Sequence, residues 1–224
     1  MQFKAAIFDL DGLMIDSEGI AFRVWQQLVA GFGVEMTENL YRQIIGKAPG
    51  VGARFLRDQL GLSIDPEVLR QTYWELRTEV ICAEAEPLEG LVSLIQSLLQ
   101  RRMLLGVASN SPTGYVEKIL QALSLRTRFS SVMGSDLVGH GKPAPDVYLA
   151  VAAALEVAPE ACLAIEDSPT GVTAAIEAGM TCYAVPNHEL RALDFSMADM
   201  LFPSLTALHE HLDEAFRSEE SGDR

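Results

Sequence analysis

Residues 5–18 read AAIFDLDGLMIDSE. Ala5 to Phe8 is a short apolar run that stops at an Asp-x-Asp-Gly turn, which predicts a buried strand ending in a polar loop. The pattern then changes. Residues 17–81 read as a block of helices: Phe22, Trp25, Leu28 and Val29 repeat at helical spacing, and Gly31 and Gly33 end that first helix. Ser17 with Glu18, Thr37, and Asp65 followed by Pro66 are candidate helix starts, because Ser, Thr and Asp cap well and Pro fits the first turn. The loop Lys47-Ala48-Pro49-Gly50 separates the second helix of this block from the third.

From Pro87 onward helices alternate with apolar runs at 103–108, 131–133, 162–165 and 181–185, with a weaker strand at 199–202. A last helix is predicted over 204–216, and the polar stretch 218–224 is expected to fray. Strands that are apolar on both faces and alternate with helices make a parallel sheet covered on both sides. The predicted fold is therefore α/β, a three-layer Rossmann-like parallel sheet core with an inserted all-α helical cap domain. The expected boundaries are 1–15 and 82–224 for the core and 16–81 for the cap.

The 224 residues carry 17 Lys+Arg against 31 Asp+Glu, a net charge of −14. That acidity argues against a nucleic-acid or anionic-membrane binder, since both need a basic face. Residues 16–81 hold 7 basic and 9 acidic groups, so the cap is nearly neutral and most of the acidity lies elsewhere. Cys82, Cys162 and Cys182 are too few and too scattered for a disulfide framework or a zinc site. The apolar stretch near the start is too short for a signal peptide or a membrane span. A soluble, cytoplasmic, monomeric protein is the expectation.

Ligands of open parallel sheets bind beyond the carboxyl ends of the strands. Polar groups gather there: Asp9 and Asp11 after the first strand, Ser109 after the second, Lys142 in the loop after the third, and Glu166-Asp167 after the fourth. Four acids in one pocket repel one another, and burying them unpaired costs several kcal/mol. An all-oxygen set of carboxylates suits Mg²⁺, which also binds substrate phosphate. Lys142 and the Ser109 hydroxyl suit the far side of a phosphoryl group. Gly12 permits close approach of the turn backbone to an anion.

Four stretches carry a family resemblance: FDLDGLMIDSE at 8–18, VASNS at 107–111, GKPAPDVY at 141–148 and AIEDSPTGVTAAIEAGM at 164–180. In this order and at these spacings the chain resembles the haloacid dehalogenase superfamily, in the branch of phosphatases and phosphomutases similar to β-phosphoglucomutase. The resemblance implies that Asp9 attacks phosphorus to form an aspartyl-phosphate and that Asp11 is the general acid and base. It implies a metal set of Asp9, Asp11 (through its carbonyl) and Asp167, with Glu166 either a further ligand or an outer partner of the ligands. Gly12, Ser109, Asn110 and Lys142 would hold the phosphoryl oxygens. The implied activity is Mg²⁺-dependent hydrolysis of a small phosphorylated metabolite, a sugar phosphate first among them.

The alternative within the branch is a sugar phosphomutase. There a His on the first cap helix helps gate the acid and base, and the next cap loop carries Lys-Gly followed by an Arg that grips a second phosphate. Here Ala21, Ile45-Gly46 and Pro49 stand at those positions, which favours a hydrolase. Arg23, Lys47 and Arg54 are the cap candidates for substrate specificity. Other residues read as structure: Ser111 as a helix cap, Asp146 as a helix-start acid, Trp25 and Phe22 as cap core, and His140 as a solvated loop side chain.

Overall fold

The computed structural model of the chain describes residues 3–44, 49–188 and 190–222. It divides into two compact units, one of Met1–Asp16 with Glu86–Arg224 and one of Ser17–Ala85.

The first unit is built on a six-stranded parallel sheet: β1 (Ala5–Phe8), β2 (Leu104–Ala108), β3 (Ser131–Met133), β4 (Cys162–Glu166), β5 (Thr181–Ala184) and β6 (Met200–Leu201). The strand order is β3-β2-β1-β4-β5-β6. Phe8 lies beside Val107 on one side and Ile165 on the other. Every residue of β1 and β4 is buried, as expected of strands covered on both faces. Ala5 and Ile7 belong to a core shared with Val147, Val151 and Val172. Phe8 points the other way and meets Phe129 edge-on at 5.9 Å. The helices of this unit are α5 (Leu91–Gln100), α6 (Thr113–Ala122), α7 (Asp146–Ala154), α8 (Pro169–Glu177) and α9 (Leu205–Gly222).

The order of winding places the site. From β1 the chain builds β2 and β3 outward on one side, then returns to lay β4, β5 and β6 on the other. The direction reverses between β1 and β4, so a crevice opens at the carboxyl ends of these two neighbours. Where the chain leaves and re-enters this unit, Ile15 forms an antiparallel bridge with Pro87, and the Leu88 N–H donates to the Met14 carbonyl at 2.9 Å.

The second unit contains α1 (Glu18–Ala30), α2 (Glu38–Arg42), α3 (Pro49–Leu60) and α4 (Pro66–Glu84). Thr37 caps α2, and Asp65 caps α4 by accepting from Glu67 N–H at 2.8 Å. Ser17 precedes α1 but makes no side-chain capping bond; it is buried instead. Trp25 stacks on Tyr73 with centroids 4.1 Å apart, which fixes α1 against α4. Phe22 lies 5.0 Å from Tyr41, whose hydroxyl donates to the Glu18 carboxylate.

The expected fraying is corrected for 218–222, where α9 continues to Gly222; residues 223–224 lie outside the described residues. No Pro or Gly interrupts 205–221, and Arg217 and Ser218 bond back to carbonyls one turn earlier. No helix among the described residues is long and apolar enough to cross a membrane.

Candidate active site

The strand ends deliver the chemistry. Asp9 follows β1 and continues its ladder, with its N–H donating to Ile165 O at 3.0 Å. Ser109 follows β2 in the same way, bonded to Met133 O. Glu166 is the last residue of β4, and Asp167 is the next. Lys142 comes from the loop between β3 and α7, and its peptide bond to Pro143 is cis.

Lys142 Nζ is 2.5 Å from both Asp9 Oδ1 and Glu166 Oε1, and all three side chains are buried. Tyr148, on α7, donates its hydroxyl to the same Glu166 oxygen at 2.6 Å, and Lys142 Nζ lies 4.9 Å from its ring centroid. The other Glu166 oxygen accepts from Asp167 N–H and the Ser168 hydroxyl. Gly171, in the first turn of α8, is required here, because a Cβ at that position would land on the Glu166 carboxylate.

Asp9, Glu166 and Asp167 each offer a ligand oxygen within 4.8 Å of the others. Against one ammonium, three buried carboxylates leave two negative charges uncompensated. Burial raises Asp9 from 3.8 to about 7; Lys142 opposes the shift and Glu166 adds to it. Burial, then the neighbouring charges of Asp9 and Glu166, hold Asp167 well above the carboxylate range. Burial works against the charged form of Lys142, but Asp9 and Glu166 outweigh it and raise its pKa. A divalent cation bound by oxygen fits this donor set, because it supplies the missing positive charge.

Asp11 stands apart from that cluster. Its Oδ2 accepts from the Ser111 hydroxyl at 2.7 Å and its Oδ1 from the Tyr115 hydroxyl at 2.9 Å. Ser111 was expected as a helix cap; α6 has no side-chain cap, and the hydroxyl serves Asp11. Ser109 Oγ accepts from Ser111 N–H at 3.0 Å, which leaves its own O–H to donate elsewhere.

Two of the expected phosphate-binding groups are engaged with protein. Asn110 clamps the Lys142 peptide with its side chain, accepting from Lys142 N–H at 2.7 Å and donating to Lys142 O at 3.1 Å. Its amide therefore aims the lysine loop. The Gly12 N–H donates to Ile15 O at 3.0 Å. Gly12 adopts φ +86°, and a Cβ there would collide with the Asp167 carboxylate. Asp167 Oδ2 in turn accepts from Asn187 Nδ2 at 2.9 Å.

The specificity candidates belong to the helical unit. Arg23 pairs with Glu84, both half-exposed, and Arg54 is exposed on α3. Lys47 lies outside the described residues. His140 is exposed and turns a ring nitrogen toward Asp146 Oδ2 at 3.3 Å. Sequence reasoning missed Tyr115, Tyr148 and Asn187. Tyr148 falls within the GKPAPDVY stretch, and its polar tip on an otherwise apolar helix was the signal available.

The comparisons agree with this architecture. A family model described as haloacid dehalogenase-like hydrolase matches residues 6–185. Hexitol phosphatase B of Escherichia coli (strain K12) is 34% identical over 224 residues, spanning 92% of this chain and 95% of that protein. The fructose-1-phosphate phosphatase YqaB of the same organism is 30% identical over 179 residues, 80% of this chain and 94% of its own. The crystal structure of CbbY from Rhodobacter sphaeroides in complex with phosphate matches with a TM-score of 0.82 at 25% identity, covering 92% of this chain and 96% of that one. The chain belongs to the haloacid dehalogenase-like hydrolase family.

Proposed function

We propose that this protein is a Mg²⁺-dependent phosphatase of a small phosphorylated metabolite, with a sugar phosphate as the substrate class, acting through an aspartyl-phosphate. The observation that carries the reading is the pairing of two unlike carboxylates two residues apart. Asp9 is buried against Lys142 in the acidic cluster, while Asp11 is held by two hydroxyls outside it. The phosphatase names of the relatives, and the phosphate in the CbbY structure, support it.

In this mechanism Asp9 attacks phosphorus in line and the leaving alkoxide takes a proton from Asp11. Asp11 then activates the water that cleaves the acyl phosphate. Lys142 and the Ser109 hydroxyl hold phosphoryl oxygens, and Asn110 keeps the lysine loop aimed. Asp9, Glu166 and Asp167 would hold the cation, with the Asp11 carbonyl as a further ligand. When bound, the cation neutralises the carboxylates and draws charge from the phosphoryl group. Ala21, buried in the helical unit, supplies no imidazole to gate the acid and base, which favours hydrolysis over mutase chemistry.

The test is phosphate release from p-nitrophenyl phosphate and from a panel of phosphorylated metabolites, with and without Mg²⁺. Turnover should need the cation, vanish in Asp9→Asn and be highest with a sugar or sugar-alcohol phosphate. Equal rates in chelator would overturn the metal assignment. Conversion of β-glucose 1-phosphate to glucose 6-phosphate without phosphate release would favour the mutase.

A further inference from the structure

Beyond β5 the chain turns through Val185, Pro186 and Asn187 at the carboxyl edge of the sheet. Asn187 Oδ1 accepts from the Leu190 N–H at 3.1 Å. An amide oxygen must face a donor, so this bond assigns the amide orientation and points the Nδ2 group the other way. Nδ2 meets Asp167 Oδ2 at 2.9 Å. Gly12 backs both groups: a Cβ there would fall on Asp167 Oδ2 and press on Asn187 Nδ2. Asp167 Oδ2 is thus held by the Asn187 amide and packed close to the Gly12 backbone.

We propose that Asn187 is a positioning residue for the cation: by holding Oδ2 of Asp167 it presents Oδ1 as the ligand oxygen and so sets the affinity of the site. This rests on the metal-dependent reading above. Outer partners of ligating side chains fix their orientation, and losing one costs about 10- to 100-fold in affinity. Asn suits this place because it adds a donor without adding a further negative charge to a cluster that already has an excess. The same side chain has a second task, closing the turn to Leu190, and the test must separate the two.

Asn187→Ser does so. A serine hydroxyl can still accept from Leu190 N–H in a similar local turn but is too short to reach Asp167. Mn²⁺ binding to the full chain is measured by titration calorimetry, alongside the Mg²⁺ dependence of p-nitrophenyl phosphate turnover. The expected result is a Kd for Mn²⁺ raised about 10- to 100-fold, a matching rise in the Mg²⁺ concentration at half-activity, and a kcat at saturating Mg²⁺ within about threefold of wild type. Asn187→Ala serves if the serine variant does not fold. An unchanged Kd in a folded variant, with wild type binding and Asp167→Asn not binding, overturns the role of Asn187 alone. A wild-type protein that binds no Mn²⁺ overturns the cation reading and this inference with it.

Discussion

Gly171→Ala sets two effects of opposite sign against each other. Gly171 is in the first turn of α8, and on helix propensity alone alanine should stabilise the protein by up to about 1 kcal/mol. The added methyl, however, would fall on the carbon and both oxygens of the Glu166 carboxylate. That carboxylate is buried and fixed by Lys142, Tyr148, Asp167 N–H and Ser168, so it has nowhere to retreat without losing partners. Overpacking costs about 1–3 kcal/mol, and one lost hydrogen bond to a charged group costs about 1.5–3 kcal/mol. After the propensity gain, the net loss is about 1.5–5 kcal/mol. For a chain of this size that lowers the thermal midpoint by about 3–20 °C. Gly114→Ala is the matched control: it is in the first turn of α6 with no atom within 4 Å of the new methyl, so it should hold or raise the midpoint. The assay is thermal unfolding of both variants, followed by turnover. Displacing Glu166 removes one of the two carboxylates that hold Lys142, so kcat should fall at least about tenfold in Gly171→Ala. A Gly171→Ala protein as stable and as active as Gly114→Ala would refute the argument.

Burial raises Asp9 to about 7 in the cation-free protein, so the stability this group contributes is full below about pH 4 and is lost as pH rises through 7. Unfolding in chelator should therefore come at lower temperature at pH 8 than at pH 5.5, and the rise on adding Mg²⁺ should be larger at pH 8; equal rises would contradict the charge balance. Tyr115→Phe removes one of the two hydroxyls on Asp11 while keeping the ring. Stability should drop by about 0.5–1.5 kcal/mol in urea titration. Turnover of an alkyl phosphate should fall several-fold more than that of p-nitrophenyl phosphate, whose leaving group needs no proton. In the helical unit, Trp25→Ala removes a buried ring stacked on Tyr73 and should cost about 3–5 kcal/mol by helical circular dichroism in denaturant, with a loss under about 1 kcal/mol counting against the packing account.

Much of the site was legible because it follows from position along the strands. Asp9, Ser109 and Glu166-Asp167 had to appear where apolar runs stop, and a parallel sheet brings those stops to one edge. Asn110 shows the limit of that reasoning. The family resemblance implies a phosphate ligand there, and the structure adds a clamp on the Lys142 peptide, a partner 32 residues away that no local pattern identifies. Tyr115 and Tyr148 were hidden for a different reason. Each belongs to the apolar face of a helix, and only the packed structure shows where a hydroxyl at the end of such a ring arrives. Asn187 lies in a loop, where Asn is ordinary turn chemistry, and its second bond is invisible without Asp167 beside it.

The bridge between Ile15 and Pro87, with the Leu88 to Met14 hydrogen bond next to it, makes the two crossings of the chain neighbours. A ring of about 70 residues is thus closed at its neck by the core itself, and the entropy of closing it grows only with the logarithm of its length. An excised version, with residues 17–85 replaced by a short Gly-Ser link, is expected to keep its sheet. The same neck would accept a longer or unrelated insert just as well. The helical unit can therefore be exchanged by splicing at a single place, while the strand order and the carboxylates at its edge stay as they are.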